Sequence, residues 1–266
     1  MLEPVITSER VKKTKRLLSN LAILLATPLS TPWNAWINQR LRWQKHQHGE
    51  ALQTSDLFIV TSCTNPFDSD SNVNHNYGHS QCERAKELAS TLRSVRYFYP
   101  RAIVVVLENS SVEPGLARDI KEMCDQRMDY SKDAKIKFSR TFKNKGIPWL
   151  AKLLKFLDEE GDCIRAERLH IICGRYELSD NIMKNKKAPG AYFKYYPAAG
   201  NVSTRYICYN EIRASEVRRS LRSTLSALFP SRSVEDVIHG KGVFRKHYLN
   251  RIGIKGTVNG IQLIEE

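Results

Sequence analysis

The segment Asp56–Ser62 reads DLFIVTS and decides the fold. Its apolar residues are consecutive rather than alternating, a pattern typical of a strand that is buried on both faces of a sheet. Two later segments repeat the pattern: Ala102–Leu107 reads AIVVVL, and Leu169–Cys173 reads LHIIC. Three such strands in a chain of 266 residues predict one substantial core around a mostly parallel sheet.

Helical patterns separate these predicted strands. Ser80–Glu83 has the spacing of a capping box, and apolar residues then recur at helical spacing until Pro100. Pro114 stands where a first helical turn begins, and a third helical pattern runs from Gly146 to Gly161. Strands and helices alternating in this way predict an α/β fold with three layers, in which helices cover both faces of the sheet.

A change of pattern divides the chain into parts. Residues 1–53 are predicted to form an N-terminal helical appendage, and residues 54–266 are predicted to form the α/β domain. The three buried strands lie within residues 54–183. Residues 184–266 contain a strand pattern at Thr204–Tyr209, a helical pattern and a short terminal hairpin.

Charge is distributed unevenly along the chain, whose formal net charge is +14 at pH 7. Asn181–Lys255 holds fifteen Lys and Arg against four acids, and the first fifty residues hold eight against three. Clustered positive charge predicts a phosphate-bearing partner such as nucleic acid, anionic lipid or a charged glycan. A generic solubility surface is the alternative, although mixed charge would serve solubility better.

The cysteines and the first segment bear on localisation. Six cysteines occur singly, without metal-ligand spacing, which indicates a reducing compartment. Leu17–Ala26 follows the basic Arg10–Arg16 but is too short to span a bilayer, and no cleavage site follows it. It fits an interfacial helix with Trp33 and Trp36 at the headgroups, or a helix packed on the domain's own core. We expect a cytoplasmic protein with peripheral contact at the inner face of the membrane.

Ligands of open parallel sheets bind beyond the carboxyl ends of the strands. Three segments meet that condition: the loop from Thr61 to Arg84, then Glu108–Ser111, and then Gly174–Glu177. No glycine-rich dinucleotide motif or Walker loop follows a predicted strand, and no metalloprotease, hydrolase or kinase motif occurs. The sequence therefore argues against these classes of enzyme.

The order of these motifs resembles the GT-A-fold nucleotide-sugar glycosyltransferases, in the bacterial and viral branch where Gly-Arg-Tyr replaces the acidic DxD motif. The resemblance covers residues 55–264. The segments that carry it are VVVLENSS at 104–111, FKNKGIPWLAKLLKFL at 142–157, IICGRYELSD at 171–180, SVEDVI at 233–238 and RIGIKGTVNG at 251–260.

The resemblance implies transfer of a hexosyl or related group from a nucleotide-sugar co-substrate. The donor would be held by eight residues: Thr61, Arg84, Glu108, Asn109, Ser110, Gly174, Arg175 and Tyr176. Glu108 would contact the base or ribose of the nucleotide. Arg175 would neutralise the leaving diphosphate, a task that a divalent metal performs in enzymes with DxD.

Four acidic residues, Glu235, Asp236, Asp68 and Asp70, raise further questions. Inverting transfer needs a carboxylate base near the acceptor hydroxyl, for which Glu235 is the candidate and Asp236 its neighbour. Asp236 also fits the third helical position of a cap that begins at Ser233. Asp68–Asp70 has the DxD form, but it follows the first strand, so we interpret it as a solvated loop. Metal dependence is left open.

Three functions compete on this evidence. The leading hypothesis is a glycosyltransferase that acts on a polyanionic or membrane-associated glycan or glycolipid. The second is a glycosyltransferase that modifies DNA bases, and the third is a non-catalytic nucleic-acid-binding α/β protein. In the first two, residues 54–183 would bind the nucleotide and residues 184–266 would form a basic acceptor side. Its arginines Arg218 and Arg222 need compensation, from a polyanion or from acids such as Glu159–Glu160.

Overall fold

A computed structural model describes residues 52–65, 80–142, 144–228, 232–240, 244–258 and 262–266. The predicted appendage at residues 1–53, apart from its last two residues, lies outside the described residues, as does Asp68–Asp70. In the parts that the structure describes, no helix is long and apolar enough to cross a membrane.

The described residues form ten strands and six α-helices. The strands are β1 (Leu52–Ser62), β2 (Ile103–Glu108), β3 (Gln126–Asp129), β4 (Ile164–Cys173), β5 (Tyr176–Leu178), β6 (Gly190–Tyr196), β7 (Asn201–Asn210), β8 (Lys246–Leu249), β9 (Ile254–Val258) and β10 (Gln262–Glu265). The helices are α1 (Gln81–Phe98), α2 (Pro114–Met123), α3 (Ala134–Ser139), α4 (Gly146–Glu160), α5 (Ala214–Ala227) and α6 (Val234–Gly240).

Seven strands form the central sheet in the order β3-β2-β1-β4-β7-β6-β8. Four neighbouring pairs are parallel, and only the two pairs that contain β7 are antiparallel. The predicted mostly parallel sheet is therefore confirmed. Because β4 pairs directly with β7, residues 54–183 and 184–266 share one sheet. Strands β5, β9 and β10 form a separate antiparallel sheet.

Two apolar clusters cover the two faces of the central sheet. Leu57 and Ile59 of β1 face the cluster that includes α4, α5 and α6. Phe58 and Val60 face the opposite cluster, which includes α1 and β5. Consecutive residues of one strand thus enter different clusters, as the continuous apolar run predicted. The three-layer α/β architecture is confirmed.

Helix ends agree with the local signals. The Ser80 hydroxyl accepts a hydrogen bond from the Glu83 backbone at 3.2 Å, and the Glu83 carboxylate accepts one from the Ser80 backbone at 2.5 Å. Pro114 opens α2, and α1 ends before Pro100. The chain enters both α1 and α4 from the carboxyl side of the sheet. Both helices therefore begin near the edge where the parallel strands end.

Candidate functional site

The ends of β1 and β2 are joined by the carboxylate of Glu108, which is fully buried. The hydroxyl of Thr64 donates to it at 2.5 Å, and the Thr64 backbone donates at 3.2 Å and 3.3 Å. The Ser110 hydroxyl donates at 2.6 Å, and the backbones of Asn109 and Ser110 each donate at 3.0 Å. Both carboxylate oxygens are therefore engaged by the protein's own donors, which fixes the two loops relative to one another.

Two buried cations lie beneath these loops, and neither was predicted from the sequence. Lys152 of α4 donates from Nζ to the Ser62 carbonyl at 2.6 Å and lies 3.4 Å from Asn109 Oδ1. Arg140 donates to the Asn109 carbonyl at 3.1 Å. Burial lowers the pKa of Lys152, against the opposing charge of Glu108. A lysine on the otherwise apolar face of a helix is the signal that could have identified it.

Cys63 follows β1 in this region. Burial, and then the charge of Glu108, raises the pKa of its thiol. A thiol held protonated is a poor nucleophile. The arrangement therefore does not favour covalent catalysis by Cys63.

Arg175 follows the carboxyl end of β4 and is close enough to Arg84 and to Lys145 for their charges to interact; these three side chains are here called the cationic cluster. Burial and then the charge of Arg175 lower the pKa of Arg84. Burial and then Arg175 also lower the pKa of Lys145. Arg84 is buried and donates to Glu87 at 3.1 Å, Arg175 is half-buried, and Lys145 is exposed. Like charges held together in this way favour an anionic ligand.

Gly174 allows the strand end to pass under α1. A Cβ at this position would come within 2.7 Å of the Leu88 side chain. The Gly174 backbone donates to the Thr61 carbonyl at 2.9 Å, and the buried Thr61 hydroxyl donates to the Ile172 carbonyl at 3.4 Å. Thr61 and Gly174 therefore shape the edge through backbone contacts that lead directly to Arg175.

The ring of Tyr176 separates two arginines. The guanidinium carbons of Arg175 and Arg205 each lie 5.7 Å from its ring centroid, in the geometry of cation–π contacts. Arg205 also pairs with the Glu266 carboxylate, which in turn accepts a hydrogen bond from the Ser203 hydroxyl at 3.1 Å. The antiparallel pairing of β5 with β9 holds Tyr176 from the other side. The ring of Tyr176 is thus held in place beside the Arg175 guanidinium.

Glu235 and Asp236 lie in the first turn of α6 and have different surroundings. Asp236 is exposed and completes the predicted cap, with hydrogen bonds of 3.0 Å and 3.3 Å to Ser233. Glu235 is half-buried and accepts a hydrogen bond of 2.6 Å from the Thr204 hydroxyl on β7. A Cβ at Gly146 would lie 1.9 Å from a Val234 methyl group, so α6 begins against the start of α4. The first turn of α6, which contains Glu235, therefore lies beside the start of α4, which follows Lys145.

The arginines of α5 lie elsewhere. Arg222 pairs with Asp158 at 2.6 Å, and Arg218 pairs with Asp162 at 3.3 Å and donates to the Leu157 carbonyl at 3.2 Å. These partners are at the carboxyl end of α4, whose first residue is at the candidate site. The 15 residues of α4 span about 22 Å. Neighbouring acids therefore compensate these arginines, but they are not the predicted Glu159–Glu160.

No group of three or more His, Cys, Asp or Glu side chains that could hold a metal occurs within the described ranges. The groups at the strand ends are guanidinium, ammonium, hydroxyl and backbone groups, and the Glu108 carboxylate there is already engaged by the protein's own donors. Such groups suit an anion, whereas Mg²⁺ prefers carboxylate oxygens.

No protein-family model matches the chain, and no curated protein matches it significantly. Among solved structures it is similar to the galactosyltransferase LgtC in complex with donor and acceptor sugar analogues, with a TM-score of 0.47 and 10% identity over 73% of each chain.

Two further solved structures are similar. The bifunctional glycosyltransferase WbbM has a TM-score of 0.44 and 11% identity, over 76% of this chain and 39% of WbbM. A putative nucleotide-diphospho-sugar transferase from Desulfovibrio desulfuricans G20 has a TM-score of 0.38 and 9% identity, over 73% of this chain and 78% of that one.

Proposed function

We propose that this chain is a glycosyltransferase that takes its sugar from a nucleoside diphosphate sugar. The observation that carries the proposal is the position of Arg175, directly after the carboxyl end of β4 and beside Arg84 and Lys145 in the cationic cluster. The diphosphate of such a donor is the anion that fits several converging cations. Guanidinium groups bind phosphate oxygens bidentately, and they stabilise the charge that develops as the diphosphate leaves.

The loops after β1 and β2 would receive the nucleoside. Glu108, Asn109 and Ser110 are buried and bonded to the protein, so they act as positioning residues that set the shape of the pocket. Lys152 is also a positioning residue, because its ammonium group donates to the Ser62 carbonyl and so holds the end of β1. The backbone groups of these loops then meet the base and ribose.

Glu235 is the proposed general base of an inverting transfer. The oxygen of an acceptor hydroxyl attacks the anomeric carbon, and the bond from that carbon to the diphosphate oxygen breaks with its electron pair on the leaving group. The hydroxyl proton passes to the Glu235 carboxylate. The hydrogen bond from Thr204 orients this carboxylate, and the cationic cluster balances the new charge on the diphosphate.

The acceptor proposed is a glycan or glycolipid at the cytoplasmic face of a membrane. The net charge of +14 and the basic, Trp-bearing sequence of the first fifty residues support attraction to an anionic surface. Modification of DNA is the competing acceptor hypothesis. The pairing of Arg218 and Arg222 with acids leaves those two arginines less available to track phosphates.

A thermal-shift screen tests the proposal. We expect a UDP, GDP or dTDP sugar at millimolar concentration to raise the melting temperature, because binding to the folded state stabilises it, and a CMP sugar, which has a single phosphate, to raise it less. The unphosphorylated nucleosides are the matched control, since they lack the charge that the cationic cluster recognises. If no nucleotide sugar stabilises the protein, the proposed function is wrong.

A further inference from the structure

Three aromatic side chains form a cluster on the α6 side of the sheet: Tyr195 on β6, His239 on α6 and Tyr248 on β8. The rings of Tyr195 and His239 are stacked, with centroids 5.2 Å apart and an angle of 23° between their planes. Tyr248 lies 5.2 Å from Tyr195 and 5.4 Å from His239. Tyr248 is 45% exposed, and the other two rings are half-buried. This aromatic platform is open to solvent at the β8 edge.

The platform is adjacent to the proposed base. Glu235 and His239 are four residues apart on α6 and therefore lie on the same face, about one helical turn of 5.4 Å from each other. Glu235 contacts Thr204 on β7, and His239 contacts Tyr195 on the neighbouring β6. The carboxylate and the His239 ring thus lie on the same face of α6, which packs against the neighbouring strands β7 and β6.

An unsatisfied polar atom lies within the platform. Nδ1 of His239 is buried and has no hydrogen-bond partner in the part of the chain that the structure describes. Buried nitrogens of this kind are normally paired, since leaving one unpaired is costly. Because this atom is shielded from solvent, a hydroxyl group of a bound molecule could pair with it only if the His239 ring turned.

The chemistry of the platform matches a sugar ring. One face of a pyranose presents C–H groups that pack on aromatic rings, and its rim carries hydroxyl groups for hydrogen bonding. The neighbouring ammonium groups are already engaged, because Lys246 donates to the His239 carbonyl at 2.7 Å and Lys194 donates to the Asn250 carbonyl. The platform therefore suits a neutral ring better than a phosphate.

We propose that the aromatic platform is the acceptor subsite and that it holds a neutral hexopyranose ring with one hydroxyl directed at Glu235. This inference rests on the proposed function, since Glu235 is the base of that reaction. It assigns the acceptor a terminal neutral sugar, whatever charge the rest of the acceptor carries.

Tyr248→Ala and Tyr248→Phe test the platform. The probes are methyl β-D-galactopyranoside, methyl β-D-glucopyranoside and the corresponding mannoside, observed by saturation-transfer NMR and offered as acceptors with the nucleotide sugar that stabilises the protein most. Tyr248→Ala should weaken binding of the preferred glycoside and raise its KM by about tenfold, with donor KM unchanged. Tyr248→Phe keeps the ring and should differ by less than about twofold.

Tyr97→Ala is the matched control, because Tyr97 is an exposed tyrosine on α1, on the other side of the sheet. The proposal is overturned if wild-type protein binds none of the glycosides, or if Tyr248→Ala binds them normally. It is also overturned if Tyr248→Ala changes only the oligomeric state in light scattering, which would identify a self-association surface. Failure of donor stabilisation in the separate thermal-shift screen would instead overturn the proposed function itself.

Discussion

Two glutamates at the same edge of the sheet show how surroundings determine the use of a side chain. Glu108 is fully buried, and donors from the two adjoining loops engage both of its oxygens. Glu235 is half-buried and is oriented by one hydroxyl group. A carboxylate saturated with donors holds its neighbours in place, whereas a partly exposed one can accept a proton. We therefore interpret Glu108 as a residue that positions its loops, and Glu235 is the one we propose as the base.

The prediction at the scale of single residues concerns Arg175. Replacing Arg175 by Ala removes one charge beside the proposed diphosphate, and turnover should fall by about tenfold to a thousandfold. Arg175→Lys should recover part of the rate, because an ammonium group keeps the charge but lacks the bidentate fork. Initial rates of sugar transfer measure both effects, and Arg219→Ala, at an exposed arginine of α5, is the control. Normal turnover in a folded Arg175→Ala protein would remove Arg175 from the site.

At the scale of elements, continuous apolar runs made β1, β2 and β4 predictable. The strand β3 was not predicted, because its sequence QRMD is short, polar and only partly buried at the edge of the sheet. The strand β5 was not predicted either. Its three residues pair with β9, far along the chain, and such a pairing leaves no local pattern in the sequence. The sequence correctly placed Gly174–Tyr176 at the end of a strand. Only the structure shows that a second sheet, through the pairing of β5 with β9, supports this segment.

The central strands are further joined by a buried ionic network. Asp56 of β1 accepts hydrogen bonds from Arg168 at 2.6 Å and His170 at 2.9 Å, both on β4. His170 Nδ1 lies 2.8 Å from the Tyr206 hydroxyl on β7. Burial lowers the pKa of His170, although Asp56 opposes the shift. Burial would raise the pKa of Asp56, but the hydrogen bonds from Arg168 and His170 lower it overall.

This network predicts that stability falls as the pH decreases. Below the ordinary histidine value of 6.5, unfolded His170 binds a proton that the folded state binds only at lower pH. The free energy of unfolding should then decrease by up to about 1.4 kcal/mol per pH unit, and Asp56 extends the loss below its ordinary value of 3.8. Urea unfolding between about pH 7.5 and pH 5.5 measures the slope. His170→Phe should flatten it, and an equal slope in both proteins would show that other groups are responsible.

At the scale of the whole molecule, the net charge of +14 does not show which cationic side chains are available to a ligand. Counting residues located the excess in Asn181–Lys255, but the fold pairs much of it with acids. Arg251 lies 2.7 Å from Glu265, and Lys255 lies 3.5 Å from Glu177. The sequence could not predict these pairs, because they depend on which elements pack together. The cationic cluster likewise depends on the fold, because its three residues come from separate parts of the chain.

The separation between α5 and the candidate site gives the last prediction. Reversing Arg218 and Arg222 to Glu replaces two ion pairs with repulsion from Asp158 and Asp162, so the free energy of unfolding should fall by about 1 kcal/mol. Donor KM should stay unchanged, because these side chains are near the far end of α4. Donor affinity of the wild-type protein should decrease as salt rises, since the cationic cluster attracts the diphosphate through screened charge.

The single variant Arg219→Glu reverses an exposed arginine of the same helix and controls for the change in net charge. Urea unfolding and steady-state kinetics at two salt concentrations separate the two effects. An acceptor KM that rises steeply in the double variant, at unchanged stability, would favour the basic acceptor side expected from the sequence. A loss of stability with both KM values unchanged would show that Arg218 and Arg222 hold α5 against α4, which leaves the recognition of the acceptor to side chains nearer Glu235.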